Sequence, residues 1–405
     1  MGSRHDALVN PAGRLPQAAP RVARVRAQDT ITWLVALAAG LTLLKLLLYI
    51  AAAQPFGGAE QALCEWDCQW YRHTIQNGYD PEPRLVTEHD FTNWAFFPLF
   101  PLLARALKFV TGLSAFWAGT AVSVLCFIGF AAVSLRYREL TRGPVVRQTS
   151  WIVLLIVFPF SFYFLAVYSE STYLFVTALL LLAVRTDRPT GAGVATALLT
   201  ATRPTGVLAI PYLAVERLWH ARLAFRPGLD FATRMRILAD SAFPLALAPL
   251  GIALYMAYLY WLTGDALAFS HIQLAWEREF VNPLKSFYWG VMKADWGALL
   301  DPHSPQSQIY GAMFVPIAGI TCLWLLWRRL FLETWLLGAT VLLALTTGVL
   351  SMPRFVLTNP VFLLALGDGV DRISSRTVRI SLAAVAVLLQ AYVLYLWFLE
   401  SSALM

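Results

Sequence analysis

The chain has 405 residues, 58% of them hydrophobic and only 14% charged, with a formal net charge of +7. That balance excludes an ordinary soluble domain. The basic residues are scattered between apolar runs rather than massed in one patch, which argues against a nucleic-acid partner. Runs of about 20 apolar residues, enough to cross a hydrocarbon core of roughly 30 Å, recur along the chain and indicate an all-α polytopic membrane protein.

Residues 1 to 30 are polar and Arg-rich and read as a disordered cytoplasmic tail; residues 31 to 405 read as one transmembrane domain. In chain order, spans are expected near 31–52, 115–135, 150–168, 171–185, 191–203, 206–219, 241–263, 309–327, 332–350, 355–370 and 378–399, about eleven in all. The segment 94–110, WAFFPLFPLLARALKFV, is apolar but contains Pro98, Pro101, Arg105 and Lys108. If it crossed, every later arginine cluster would fall outside. The positive-inside rule therefore lays it in the interface as an amphipathic helix. The N-terminus is then inside, the C-terminus outside, and the loops 53–114 and 264–308 share the outer face. Lys45 is left within the first span. Residues 191–203 make an unusually short span that ends in ATRPTG, and Arg203 is costly in lipid unless it faces a cavity or a partner. A polar cavity near the outer leaflet is expected.

Five motifs carry charge or polarity into this apolar chain. CEWDCQWYRHTIQNGYD (64–80) has the aromatics of a membrane-interface belt, but a belt does not account for Glu65 and Asp67. A carboxylate among indoles at the membrane edge is a candidate general base. In FYFLAVYSESTYLF (162–175), Glu170 sits in a short outer turn, where it is either a plain turn residue or a cavity-facing acid. Arg203 and, in SMPRFVLTNP (351–360), Arg354 are either membrane anchors or a pair for an anionic ligand, of which a phosphate is the natural one. GDALAFSHIQLAWEREF (264–280) reads chiefly as an interfacial helix. No Walker loop or Rossmann glycine pattern occurs, and the six histidines lack metal-ligand spacing. Glu65, Asp67, His89 and Asp90 are the one conceivable divalent-metal set; metal-independent chemistry is expected. Cys64 and Cys68 are four apart, an awkward spacing for a bridge on a regular helix, so free thiols are expected, with a disulfide as the alternative.

Taken together and in order, WDCQWY with NGY, NWAFFPLFPLL, YSEST, RPTG, IQLAWER and SMPRFVL resemble the bacterial branch of the PIG-V group, within the GT-C superfamily of membrane glycosyltransferases. The resemblance covers residues 55 to 360. It implies a GT-C fold in a bacterial inner membrane and a polyprenyl-phosphate mannose donor used on the outer face. The implied reaction is an inverting transfer to a lipid, glycan or protein acceptor. On this reading Asp67 is the catalytic base, Glu170 is a catalytic-site residue that orients one of the arginines or a sugar hydroxyl, and Arg203 and Arg354 bind the donor phosphate. Glu65, Trp66, Trp70, Tyr71, Tyr168, Gln273, Trp276 and Arg278 line the substrate site. Membrane lipids are the other expected partners, and a monomer is expected. A GT-C transferase of another lipid-linked sugar, or a polyprenyl-phosphate transporter, would use a similar cavity. The absence of an internal repeat and the position of the acid in an outer loop favour the enzyme.

Overall fold

The computed structural model describes residues 21–82, 84–86, 89–142, 148–276, 280–294, 296 and 308–399; the side chains of residues 21–29, 84–86, 89, 90 and 276 lie outside the description. Nearly all regular structure is helical, and each of the eleven expected spans contains a helix. Among the described residues of the 53–114 loop, a short antiparallel hairpin, Arg84–Val86 against His89–Phe91, departs from all-α structure. Among the described residues, five helices are long and apolar enough to cross a membrane: Thr30–Ala52, Ala115–Arg142, Phe231–Thr263, Gln308–Trp327 and Arg376–Phe398. The helices Gln148–Val157 and Phe331–Leu345 are shorter and equally apolar. Leu43, Leu44, Leu47 and Leu48 on the first long helix point outward, as do Ile320, Leu323 and Leu388 on later ones. An outward apolar face on a helix that is apolar all round is what lipid requires, and the chain is a multi-pass membrane protein.

Boundaries depart from expectation where proline or a tertiary contact intervenes. The first helix is already formed at Arg21, where the described residues start, rather than from near 31, so the final part of the expected tail is helical. The span expected at 150–168 is helical only to Val157 and resumes as a 3₁₀ turn, Ser161–Phe164. Pro159 lies between them; it has no N–H to donate and disfavours helical geometry in the residue before it. The carbonyls released by this break find donors from two other helices. Lys45 Nζ donates to Ile156 O (3.0 Å) and Ser161 Oγ (2.5 Å). Gln390 Nε2 donates to Ile156 O (3.0 Å) and Phe158 O (2.9 Å). Lys45, unexplained by charge topology, is thus the cap of a broken helix. The last part of the chain breaks again between Met352–Leu357 and Pro360–Arg372, where Asn359 accepts from Val361 N and Pro360 opens the second helix.

The core forms around the Ala115–Arg142 and Glu170–Arg185 helices, which pack closely along their length. Against the end of the short Pro189–Thr200 helix, two glycines allow near contact of backbones. A Cβ on Gly206 would overlap the Leu199 carbonyl, and one on Gly251 the Ala197 carbonyl. The segment 94–110 becomes a helix at Leu99–Thr111, with Phe100, Pro101 and Ala104 buried and Leu102, Phe109 and Val110 exposed. Its apolar outer face accords with the expected interfacial position.

Candidate functional site

Four charged side chains from four separate segments meet at one place. Asp67 is the first residue of the Asp67–Asn77 helix, and Glu170 the first of Glu170–Arg185. Both carboxylates therefore lie at helix N-termini, where the backbone dipoles favour negative charge. Arg203 is held in extended backbone just before the 3₁₀ turn Pro204–Leu208, and Arg354 lies in the short helix Met352–Leu357.

Arg354 joins the two acids: its Nη2 donates to Asp67 Oδ2 at 2.7 Å and its Nε to Glu170 Oε1 at 2.9 Å. Arg203 Nη2 donates to the same Glu170 oxygen at 3.0 Å, while its Nη1 donates to Thr358 Oγ1 at 3.1 Å. Glu170 is fully buried, Arg203 and Arg354 nearly so, and the Asp67 side chain is 22% exposed. Two acids and two arginines make a cluster that is formally neutral. Glu170 Oε2 makes no hydrogen bond among the described residues. Aromatic faces complete the arginine sites: Arg354 lies 4.7 Å from the Tyr168 ring centroid, and Arg203 lies 5.3 Å from that of Phe355.

The cluster opens onto a cavity of about 220 Å³. Asp67, Arg203 and Arg354 line it together with Tyr71 and Gln273; Phe96, Phe97, Phe269, Phe280 and Leu343 supply much of its apolar wall, and Thr202, Thr346, Thr347 and Ser351 add hydroxyls. Phe280 and Gln273 bring the 264–308 loop to the same opening as the 53–114 loop.

The remaining expected residues divide. Tyr71 lines the cavity and also donates to Ser169 Oγ at 2.9 Å; burial pushes its phenol well above the ordinary tyrosine value, so it stays a neutral donor. Glu170 does not line the cavity and reaches it only through the two guanidiniums. Trp66, Trp70, Tyr168 and Glu65 are also absent from the lining. Trp66 packs edge-on against Trp397, with ring centroids 4.8 Å apart, and Trp70 stacks on Phe96 at 6.0 Å. Tyr168 is fully buried and donates to Glu65 O at 2.9 Å, tying the YSEST turn to the chain just before Asp67. Glu65 is buried beside the cluster rather than in the cavity. An indole surrounded by apolar partners gains more from packing than from facing a wet cavity, which is why these aromatics turned inward. The backbone of Trp276 ends a 3₁₀ turn, Ile272–Trp276, and Arg278 lies outside the described residues. So do the side chains of His89 and Asp90; among the described residues no group of three or more His, Cys, Asp or Glu is arranged to hold a metal.

Cys64 and Cys68 form a disulfide, against the expectation of free thiols. The reason is local: the helix starts only at Asp67, so Cys64 lies in the preceding turn, and the Cα–Cα distance closes to 5.0 Å. Between the cysteines, Trp66 adopts φ 47°, a conformation that bulky residues rarely take. Such geometry persists only when its surroundings over-determine it, and here the bridge and the Trp66–Trp397 contact hold it. The loop is further pinned by Asn93, whose Nδ2 donates to Thr74 Oγ1 and Gly78 O and whose Oδ1 accepts from Asp80 N. Asn93 of NWAFFP and Gly78 of NGY thus brace the Asp67 helix, while Ala95, Phe96 and Phe97 of NWAFFP line the cavity.

Thr358 and the phenylalanine wall were not singled out from sequence. Thr358 follows Arg354 by one helical turn and returns its hydroxyl to Arg354 O at 2.8 Å while receiving Arg203. A signal existed in the spacing RFVLT, but a threonine near a helix end most often satisfies its own backbone.

No family model matches the chain, and no curated protein matches it. Two solved structures show a distant likeness, both of the oligosaccharyltransferase of Archaeoglobus fulgidus. One, a complex with zinc and sulfate, is 15% identical with a TM-score of 0.42, covering 91% of this chain and 53% of that one. The other, the apo form, is 13% identical with the same TM-score, covering 92% of this chain and 56% of that one. The chain spans about half the length of these structures, and likeness at this level bears no weight on fold or chemistry.

Proposed function

We propose that the chain is an inverting membrane glycosyltransferase of the GT-C type that moves a mannose from a polyprenyl-phosphate donor to an acceptor hydroxyl. The observation that carries this reading is the junction at Arg354, which holds the exposed Asp67 and the buried Glu170 while facing a cavity with a second arginine and an apolar wall. A lipid phosphate needs charge stabilisation and an apolar path for its chain. Arg203 and Arg354 offer the first, and Phe97, Phe269 and Phe280 the second.

In this mechanism Asp67 is masked at rest, because a carboxylate paired with a guanidinium at 2.7 Å is a poor base. The incoming donor phosphate takes hydrogen bonds from Arg354, and Asp67 is released toward the acceptor hydroxyl. The hydroxyl oxygen attacks the anomeric carbon from the face opposite the phosphate, its proton passes to Asp67, and the C–O bond to the phosphate breaks with inversion. Glu170 serves as a positioning residue, fixing both arginines from behind. Gln273 and Tyr71, which face the cavity, bind sugar hydroxyls. The Cys64–Cys68 bridge supports placing this site on the outer, oxidising side of a bacterial inner membrane.

The test is transfer of labelled mannose from synthetic polyprenyl-phosphate mannose by the purified chain, wild type against Asp67→Asn. Loss of at least a hundredfold in kcat, with donor binding retained, is expected. Full activity in the variant removes Asp67 as base, and transfer only from another lipid-linked sugar removes mannose.

A further inference from the structure

A second cavity, of about 640 Å³, opens at the other end of the same helices. Glu170 begins the 16-residue Glu170–Arg185 helix at the site described above, and Arg185 ends it in this cavity, about 22 Å away along the axis. Arg138, Arg142 and Arg328 line the cavity with Arg185, against the two lining carboxylates Glu333 and Asp368. Asp368 and Asp371 are engaged with Arg138 and Arg142, two of the three arginines of the Ala115–Arg142 helix. Asp371 takes Arg138 Nη2 at 2.6 Å, and Asp368 takes Arg142, with Arg138 Nη1 at 3.6 Å. Arg138 is 1% exposed, and its Nη1 has no hydrogen-bond partner among the described residues. Arg328 and Arg372 both lie over the Trp324 ring, at 5.5 and 5.4 Å from its centroid.

The positive excess is not distributed as on a solvated face. It lines a chamber whose wall is otherwise largely aliphatic, with Leu181, Leu325, Leu330, Val361 and Leu364 beside Tyr137 and Thr141. Arginine clusters answer phosphate oxygens, and basic pockets between the ends of membrane helices suit lipid headgroups. A free inorganic phosphate would leave the aliphatic wall unused. Glu333 would oppose a bare anion but would accept a hydroxyl carried next to it.

We propose that this cavity binds an anionic phospholipid, with its phosphate on Arg138, Arg185 and Arg328, a headgroup hydroxyl on Glu333, and the start of an acyl chain along Leu181 and Leu364. The site is separate from the proposed transfer reaction and does not depend on it.

The experiment is native mass spectrometry of the full-length chain in detergent, titrated with phosphatidylglycerol or phosphatidylcholine. Wild type is expected to retain one phosphatidylglycerol at least tenfold more tightly than phosphatidylcholine. Arg185→Gln/Arg328→Gln, chosen because neither side chain is fully buried, is expected to lose that preference. Leu364→Trp, which fills the aliphatic wall and leaves every charge in place, is expected to weaken retention as well, so the result does not hang on one variant's folding. Equal retention by wild type and both variants overturns the proposal, as does equal retention of the two lipids. Displacement of the bound lipid by millimolar inorganic phosphate also overturns it, by assigning the arginines to a soluble anion.

Discussion

Asp67 and Glu170 share Arg354, yet their surroundings assign them different fates on mutation. Glu170 is the fully buried acid between two arginines, so Glu170→Gln removes the carboxylate paired with Arg203 and leaves Arg354 with Asp67 alone of its two acids. Breaking a buried pair from one side costs about 3–5 kcal/mol. Glu170→Gln is therefore expected to lower the thermal midpoint measured in detergent as well as to abolish transfer. Asp67→Asn, at a more exposed position where an amide still accepts from Arg354, is expected to keep the wild-type midpoint and lose only turnover. Arg354→Lys separates geometry from charge: an ammonium cannot serve both acids in the planar arrangement seen here, and a loss of about tenfold or more in kcat/KM is expected from kinetics on the labelled donor. These four charged residues were legible in the sequence because an ionised group in so apolar a chain is costly unless it has a reason to be there. Trp66, Trp70 and Tyr168 were equally visible, but aromatic residues are at home both in a cavity wall and in a core, and sequence does not separate the two.

At the level of elements, the shape of the site depends on breaks in helices. Arg203 reaches the cluster because the Pro189–Thr200 helix stops early and the chain turns tightly against its end, at a contact only a glycine at 206 permits. Gly206→Ala must push this turn away from Leu199. A cost of about 1–3 kcal/mol is expected from overpacking, together with reduced activity, although residue 206 itself is outside the cavity lining. Chemical denaturation and the transfer assay on the same preparation check both. The presence of most helices was readable from apolar periodicity and length. Their broken ends were not, because the partners that rescue freed carbonyls, such as Lys45 and Gln390 at Ile156, come from far along the chain.

For the whole molecule, the cluster at Asp67 and the arginine cavity at Arg185 mark two poles of one helical body. The proposed orientation predicts which pole each reagent can reach. In intact cells, a cysteine introduced at exposed Leu113 is expected to react with a membrane-impermeant maleimide, whereas one at exposed Ser374 is expected to react only after permeabilisation. The reverse pattern inverts the topology. The proposed orientation rests on charge distribution, since arginines sort by membrane side. The arginine cavity itself was hidden, because arginines between apolar spans are so common that their convergence on one chamber has no signature in spacing.

The bridge between Cys64 and Cys68 gives the protein a birth order. Its cysteines are almost entirely enclosed once the loop has packed, so the bond is expected to form before the loop closes over the Asp67 helix. A newly inserted chain would hold all four charged residues in sequence and yet lack a finished base until its first loop had crossed and met an oxidant. Chains made in cells that cannot oxidise exported thiols are accordingly expected to reach the membrane in normal amounts, carry two additional alkylatable cysteines, and transfer little or no sugar. Competence would then be conferred by the compartment, after synthesis, on a loop of five residues.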